Sequence, residues 1–333
     1  MERLVKISGE ENFNPIMQDS VAPWLARDVQ DGYLTAPDGM KLHYRYNLVP
    51  ESRAAIVMIH GFCEFFGKYH ELAWYFAQAG FSFFFLENRG HGLSGRETDQ
   101  FDLVQIHSYD EYVEDAALFI REIVKPAVPD QKLLLYCHSM GGAIGTLFLE
   151  KYPEVFSAAV LSSPMHGIQL GPIKDWMVAV MYAFKKITGK ADDLSVGNSH
   201  WSGKPDYNEN SGQSRARFWY QYNMRVADDA YKTCAATNRW AYQSTVADHK
   251  LVRDAAKVQI PVILFQAEKD SLVRPEPQNS FAAGSAHTRI VRIPSEHEIF
   301  NNASLATRMG YYKELFAFLD AQSDGQTTTV TEA

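Results

Sequence analysis

The sequence predicts an α/β protein with a mostly parallel central sheet flanked by helices. Short apolar runs alternate with amphipathic stretches along most of the 333 residues, which is typical of strand–helix–strand units. Most of these runs are continuously apolar, as expected for strands buried on both faces. Between about Met165 and Lys250 the alternation gives way to aromatic, glycine and polar residues in short helical pieces. This break predicts a helical cap inserted above the sheet.

The composition fits a globular chain and argues against several classes of protein. Hydrophobic residues make up 46% of the chain and charged residues 22%, so the chain can bury a sizeable core. The net charge of -8, without clustered lysine and arginine, predicts no nucleic-acid partner. The three widely spaced cysteines form neither a disulfide framework nor a metal-ligand pattern. Residues 1–20 lack the apolar segment of a secretory signal and no apolar run is long enough to cross a bilayer, so we expect a cytoplasmic protein.

Helices and strands follow from apolar spacing and turn residues. Helical spacing over 69–77, with Gly80 as a stop, predicts the first core helix. A second helix is expected to begin at Ser108, where Glu111 completes a capping box, and to end before Pro126. A last helix is expected over 304–319, and the strand candidates are 55–59, 81–86, 133–136, 158–161, 262–265 and 289–293.

These elements divide the chain into four parts. We expect an N-terminal extension over 1–32, a core formed by 33–164 and 251–320, a cap over 165–250, and a tail over 321–333. The tail is polar and rich in threonine, so it is expected to be flexible and frayed.

Ser139 lies where a strand passes into a helix. Residues 133–136 predict the strand, and residues 141–150 have helical spacing. Such a turn presents the nucleophile in the motif GxSxG, whose flanking positions are small because larger side chains would strike the neighbouring strand or helix. Gly141 and Gly142 meet this demand, whereas Cys137 stands where glycine is usual; its side chain is small, so the motif is weakened and not cancelled. The alternative is that Ser139 only caps the following helix.

Two later strand ends supply the partners that a nucleophilic serine requires. A serine hydroxyl needs a base to accept its proton and a carboxylate to orient that base, and in this architecture both follow the serine. The strand 262–265 leads to Glu268 and Asp270, and the strand 289–293 leads to His297. We prefer Asp270 over Glu268 because it lies further into the loop. A lone aspartate in a turn or a lone histidine is usually structural, so the prediction rests on the combination and order of the three residues.

Two backbone amides are expected to bind the oxyanion that forms during ester cleavage. One is the amide of Met140, directly after the serine. The other is the amide of Phe62 in His60-Gly61-Phe62, after strand 55–59, where Gly61 lets the backbone approach closely. The alternative is an ordinary strand-to-helix turn.

Several of these stretches together resemble a known family. They are His60-Gly61-Phe62, Asn88-Arg89-Gly90-His91-Gly92-Leu93-Ser94-Gly95, His138-Ser139-Met140-Gly141-Gly142, Ser163-Pro164-Met165 and the late Asp270 and His297. The combination is similar to α/β-hydrolase enzymes grouped as bacterial lysophospholipases of the L2 type and monoacylglycerol lipases, over residues 38–319. This resemblance implies an α/β-hydrolase fold and a catalytic triad of Ser139, Asp270 and His297. It further implies an oxyanion hole from Phe62 and Met140, no metal or organic cofactor, and a cap over an acyl pocket.

The cap bears on the substrate and on membrane contact. Residues 176–184 are apolar throughout and lie between Lys174 and the pair Lys185-Lys186, so they are expected either to contact anionic headgroups at the inner membrane face or to pack within the cap or a dimer. We expect hydrolysis of a single-chain lipid ester through an acyl-enzyme, with lysophospholipid slightly favoured over monoacylglycerol. The alternatives are an esterase for small or aromatic esters, a catalytically silent relative, and a proline-type aminopeptidase. An aminopeptidase needs acidic groups in the cap, for which the candidates are Asp192, Asp193, Asp206 and Glu209.

Overall fold

The computed structural model describes residues 3–208 and 212–333 of the chain. Within these ranges the strands are β1 (Arg3–Ile7), β2 (Gln30–Thr35), β3 (Lys41–Asn47), β4 (Ala55–Ile59), β5 (Ser82–Leu86), β6 (Leu103–Val104), β7 (Leu133–His138), β8 (Ala158–Ser162), β9 (Ala235–Ala236), β10 (Val262–Ala267), β11 (Thr288–Ile293) and β12 (Thr328–Glu332). The helices are α1 (Phe13–Ile16), α2 (Ala22–Asp28), α3 (His70–Gln78), α4 (Tyr109–Phe119), α5 (Lys125–Ala127), α6 (Met140–Lys151), α7 (Asp175–Ile187), α8 (Arg215–Ala227), α9 (Asn238–Arg253), α10 (Pro275–Gly284) and α11 (Leu305–Gln322).

The central sheet confirms the predicted α/β class. Its eight strands lie in the order β11-β10-β8-β7-β4-β5-β3-β2, and all neighbours from β11 to β5 pair parallel. Every residue of β4, β5, β7, β8 and β10 is buried, which explains why their sequences are continuously apolar. The antiparallel strands β2 and β3 escaped prediction because each is only partly buried and carries polar residues between its apolar ones.

The predicted helices are present, with one boundary misplaced. Ser108 caps α4 by accepting a hydrogen bond from the Asp110 amide at 3.1 Å, and Ser304 caps α11 in the same way. The prediction that the helix from Ser108 ends before Pro126 is wrong, because a π-helical turn over Ile120–Val124 leads from α4 into α5. Pro126 is the second residue of α5 and follows directly on the π-helical turn.

The C-terminal tail is a strand where the sequence predicted a frayed segment. β12 pairs parallel with β1 from the opposite end of the chain, with Val5 beside Val330. The Asp320 carboxylate accepts hydrogen bonds from the Thr328 amide at 2.7 Å and from its hydroxyl at 2.8 Å. The prediction was wrong because each terminus was considered alone, whereas a strand of this kind exists only through its distant partner.

The segment that the sequence predicts to be a cap lines a cavity together with residues that follow the central strands. Residues 165–250 contribute α7, α8 and most of α9, which continues to Arg253. A buried ion cluster ties α8 to the body, since Glu71 on α3 pairs with Arg217 on α8 at 2.8 Å and with Arg308 on α11 at 2.9 Å. Among the described residues, no helix combines the length and the apolar character that crossing a bilayer would require.

Candidate active site

Ser139 occupies a strained turn between β7 and α6. Its φ of 52° and ψ of -120° lie outside the regions that residues other than glycine favour, so contacts with the surrounding structure must hold the backbone in this conformation. Two backbone hydrogen bonds do so: the Ser139 amide donates to the Ser162 carbonyl at 3.1 Å, and the Met165 amide donates to the Ser139 carbonyl at 2.8 Å. The conformation places the serine hydroxyl in a cavity beneath the cap.

The two glycines after Ser139 are required by close approach. A Cβ at Gly141 would lie 2.1 Å from the Ile59 carbonyl oxygen, and one at Gly142 would lie 2.4 Å from the Cβ of Pro164. Any larger residue would push α6 away from β4 or from the segment after β8. The local sequence therefore fixes where the helix starts relative to the serine.

The structure brings Ser139, His297 and Asp270 together in one hydrogen-bonded chain. His297 Nε2 lies 2.8 Å from Ser139 Oγ, and His297 Nδ1 lies 2.7 Å from Asp270 Oδ2. The other carboxylate oxygen, Oδ1, accepts hydrogen bonds from the amides of Leu272 at 2.8 Å and Val273 at 3.0 Å. Burial alone would raise the pKa of Asp270, but the bonds from His297 and from these amides hold it below its ordinary value. Asp270 is therefore ionised at neutral pH.

The same geometry distinguishes Asp270 from Glu268. Glu268 is exposed directly after β10, whereas the side chain of Asp270 is only 5% exposed and faces His297. The loop carrying His297 has a further anchor that the sequence did not indicate, because the Ser163 hydroxyl donates to the His297 carbonyl at 2.7 Å. Ser163 has a φ of 44, a backbone conformation that no sequence pattern here reveals.

The Phe62 and Met140 amides, which the sequence predicts to form the oxyanion hole, belong to the loop after β4 and to the first residue of α6. A Cβ on Gly61 would lie 3.0 Å from the Cβ of Ser139, so the loop after β4 passes very close to the serine. Within the described part of the chain, neither amide donates a hydrogen bond to a protein acceptor. Two such donors beside a hydroxyl–imidazole pair can hold a developing negative charge on a substrate oxygen.

A buried ionic cluster next to this loop was missed by the sequence reasoning. Lys68 Nζ lies 2.5 Å from Glu64 Oε1 and 2.5 Å from Glu298 Oε1. Glu64 Oε2 also accepts from the Gly61 amide at 2.6 Å, one residue before the Phe62 amide. Burial alone would raise the pKa of Glu64, but the Lys68 charge, the nearby His138 and the hydrogen bonds from Lys68 and Tyr69 together outweigh burial and hold the pKa far below its ordinary value. Glu64 and Lys68 lie four residues apart in the segment after β4, but Glu298 follows β11, so no local spacing signals the whole cluster.

A cavity of about 590 Å³ opens from Ser139 beneath the cap. Ser139, His297, Glu64, Lys68 and Glu298 lie at its base. Its upper wall is mostly apolar and includes Met165, Ile168, Leu170, Ile173, Val178, Met181, Val196, Trp240, Leu272 and Val273. Among the described residues, no group of histidine, cysteine and acidic side chains is arranged to hold a metal ion.

Comparison with known proteins agrees with the fold. A family model described as "Serine aminopeptidase, S33" (Hydrolase_4) matches residues 50–303. The chain is 26% identical over 294 residues to lysophospholipase L2 of Escherichia coli strain K12, covering 88% of this chain and 83% of that protein. It is 34% identical over 143 residues to a monoacylglycerol lipase of Mycolicibacterium smegmatis, covering 42% of this chain and 46% of that protein. The solved structure of a soluble variant of Saccharomyces cerevisiae monoglyceride lipase is similar with a TM-score of 0.69, at 17% identity over 89% of this chain and 96% of that chain.

The sheet order and the strand–turn–helix unit around Ser139 are those of the α/β-hydrolase fold. The chain belongs to the serine aminopeptidase S33 family of that fold, and its relatives place it among the carboxylic ester hydrolases. The family resemblance inferred from the sequence motifs is thereby confirmed.

Proposed function

We propose that the protein hydrolyses the ester of a single-chain lipid by way of an acyl-enzyme on Ser139. The observation that carries the proposal is the chain of short contacts from Ser139 Oγ through the His297 ring to Asp270, at the base of an apolar cavity. His297 acts as the base, Asp270 orients it, and the Phe62 and Met140 amides form the oxyanion hole.

The reaction follows from these positions. His297 Nε2 accepts the Ser139 proton while Oγ attacks the ester carbonyl carbon, and the resulting oxyanion is stabilised by the two amides. When the carbon–oxygen bond breaks, His297 gives the proton to the departing alcohol and the acyl group remains on Ser139. Water, activated by the same histidine, then releases the fatty acid and restores the serine.

The apolar wall of the cavity supports a lipid acyl chain as the group held above Ser139. Each methylene buried there contributes about 0.8 kcal/mol, so a chain of increasing length gains affinity until the cavity is full. The similar proteins named lysophospholipase L2 and monoacylglycerol lipase support the same substrate class. We favour lysophospholipid slightly over monoacylglycerol.

An aminopeptidase activity, which the family description suggests, finds less support at this site. Asp192 pairs with Arg239 at 2.6 Å, and the cavity above Ser139 is not lined by Asp192, Asp193 or Asp206; Asp206 lines a neighbouring cavity that contains neither Ser139 nor His297. Glu209 lies outside the described residues. The carboxylates of Glu64 and Glu298, which do line the cavity, both bind Lys68 and are not free to receive a substrate amine.

We further propose that α7 rests on an anionic membrane surface. Its outer face exposes Trp176, Val180, Phe184 and Ile187 at 64%, 60%, 65% and 85%, so this helix is not buried as its all-round apolar sequence would suggest. The half-buried Lys185 and the exposed Lys186 flank that stripe, and their charge suits anionic headgroups. On its other side Val178 and Met181 line the cavity, so the helix separates the acyl site from the proposed membrane.

The substrate proposal is tested by hydrolysis of p-nitrophenyl esters of increasing chain length, lysophosphatidylcholine, monoacylglycerol and a prolyl amide. We expect long-chain lipid turnover that disappears in Ser139→Ala. Preference for acetyl esters or the prolyl amide would contradict the lipid assignment, and unchanged activity in Ser139→Ala would contradict the mechanism.

The membrane proposal is tested by sedimentation with vesicles of neutral or anionic lipid. We expect binding to anionic vesicles that is lost in the double variant Trp176→Ser, Phe184→Ser, with p-nitrophenyl butyrate hydrolysis unchanged. Equal vesicle binding by the wild type and the double variant would contradict a membrane role for α7. A wild-type dimer that the double variant no longer forms would also contradict it, because α7 would then be a dimer contact.

A further inference from the structure

A second cavity of about 380 Å³ adjoins the one above Ser139. Lys68, Arg225 and Glu298 line both cavities, so the two meet at these side chains. Unlike the first, the second cavity has charged and aromatic walls, which include His200, Trp201, Lys204, Asp206 and Tyr222. Its volume falls within the range of roughly 300–1,000 Å³ typical of small-molecule sites.

The charges around this second cavity are not balanced by one another. Lys68 and Glu298 already form an ion pair. Arg225 donates to the carbonyls of Cys63 and Thr233, and no carboxylate among the described residues lies within ion-pair distance of it. The described residues likewise offer no ion-pair partner to Lys204 or to Asp206. Arg225 and the exposed Lys204 and Asp206 therefore face a cavity that shares three lining residues with the cavity above Ser139.

The walls of the cavity are held in place by the fold. The buried Asp102 carboxylate accepts a hydrogen bond from the Trp201 amide at 2.8 Å and contacts His200 Nδ1 at 3.0 Å. The Tyr222 hydroxyl donates to the Gly203 carbonyl at 2.6 Å, and the rings of Trp201 and Tyr222 lie 6.1 Å apart. These contacts fix the segment that carries Lys204 and Asp206 against α8.

The chemistry at Ser139 decides which part of an ester reaches this cavity. His297 must give its proton to the departing alcohol, and the next residue, Glu298, lines the polar cavity. The apolar chain occupies the other cavity, so the alcohol side of the ester extends past Glu298 and Arg225. In a lysophospholipid only a few glycerol bonds separate the ester from the phosphate.

We propose that this polar cavity binds the zwitterionic headgroup of a lysophospholipid. Arg225 and Lys204 contact the phosphodiester, and Asp206 with the Trp201 and Tyr222 rings receives the ammonium group. The assignment rests on the proposed lipid-ester function and makes it more specific. A monoacylglycerol would leave these charges without a partner, so the cavity favours the phospholipid substrate.

The first test compares lysophosphatidylcholine and monoacylglycerol of the same acyl chain in the same mixed micelles. We expect Lys204→Gln to lower kcat/KM for lysophosphatidylcholine by about fivefold, equivalent to roughly 1 kcal/mol, and to leave monoacylglycerol hydrolysis within about twofold. Lys125→Gln, at an exposed lysine on α5 outside both cavities, serves as the matched control and should change neither substrate. Equal effects of Lys204→Gln on both substrates, or no effect on either, would overturn the headgroup site while leaving lipid hydrolysis intact.

A second test does not depend on lipid turnover. We expect glycerophosphocholine to inhibit p-nitrophenyl butyrate hydrolysis competitively, and inhibition to weaken about fivefold in Lys204→Gln. Glycerol should not inhibit. Inorganic phosphate should inhibit less than glycerophosphocholine, because it lacks the ammonium group that the site is proposed to bind. Equal inhibition by inorganic phosphate, or none by glycerophosphocholine, overturns the site. If the enzyme cleaves no lipid, the proposed function fails, and Lys204-dependent inhibition would still establish the phosphodiester site.

Discussion

The side chain of Cys137 occupies space that Gly145 leaves open. A Cβ built on Gly145 would lie 2.4 Å from Cys137 Sγ, so the cysteine just before the nucleophile turn packs against bare backbone on the facing turn of α6. Cys137 is fully buried on β7. The position where the motif usually has glycine therefore carries a side chain, and the glycine that makes room for it lies on the helix.

This pairing predicts that Gly145→Ala destabilises the protein despite the better helix propensity of alanine. Overpacking of this kind costs about 1–3 kcal/mol, measured as the free energy of unfolding in denaturant. In a Cys137→Gly background the same substitution should cost much less, because the clashing sulfur is gone. Gly310→Ala, on α11 with nothing within 4 Å of the new Cβ, is the control and should be neutral or stabilising. Equal costs in both backgrounds would contradict the pairing.

The second prediction separates the two acids that follow β10. Asp270→Asn should lower kcat about ten-thousand-fold, because the amide cannot stabilise the imidazolium that forms on His297. Glu268→Gln, two residues earlier and exposed, should stay within twofold of the wild type. Turnover of p-nitrophenyl esters by both variants provides the measurement, and a larger loss in Glu268→Gln would reverse the assignment.

The third prediction concerns Glu64, which we infer to position the loop after β4 that carries the Phe62 amide. Its Oε2 holds the Gly61 amide at 2.6 Å and thereby sets the direction of the Phe62 amide. Glu64→Gln should lower kcat for a short ester by between about 10-fold and 100-fold with little change in KM. Glu298→Gln removes a charge from the same Lys68 without touching Gly61, so its effect on kcat should be much smaller. Equal losses in the two variants would show that charge near Lys68 matters and loop position does not.

The fourth prediction uses Asp248, a buried acid on α9. Burial raises the pKa of Asp248 to about 8, and the nearby Asp175 raises it further. The Ile168 amide, which donates a hydrogen bond to Asp248 at 3.0 Å, and the nearby Arg274 act in the opposite direction but do not cancel the effect of burial. The folded protein therefore keeps a proton that the unfolded chain loses above about pH 4, so this group makes stability fall as pH rises from about 4 to about 8. Asp248→Asn should remove that fall and raise Tm by about 2–4 °C at pH 8, with little change at pH 4. The exposed Asp130→Asn is the control, and a Tm gain that does not depend on pH would contradict the titration.

The sequence predicted the parts of the structure whose causes are local or shared by the whole sheet. Strands such as β4 and β7 are buried on both faces, and the sequence shows this directly because their apolar residues follow one another without a break. The order Ser139, Asp270, His297 was predictable because each residue follows a strand, and parallel strands end at the same edge of the sheet.

The features that escaped prediction depend on partners far away in the chain. β12 exists because β1 lies beside it, and Gly145 is needed because Cys137 faces it across the turn. The pair of Lys68 and Glu298 joins the loop after β4 to the loop after β11, and neither loop shows a pattern of its own. The exposed face of α7 could not be told from a buried one because its residues are apolar on every side.

The most direct test of the central claim is covalent labelling with a long-chain alkyl p-nitrophenyl phosphonate, followed by peptide mapping. Attack of Ser139 Oγ on phosphorus expels p-nitrophenolate and leaves a stable adduct that resembles the tetrahedral intermediate. We predict one p-nitrophenolate released per protein, an adduct on the peptide that contains Ser139, and none in Ser139→Ala. An adduct on another residue, or labelling of Ser139→Ala at the wild-type rate, would contradict the assignment of Ser139 as the nucleophile.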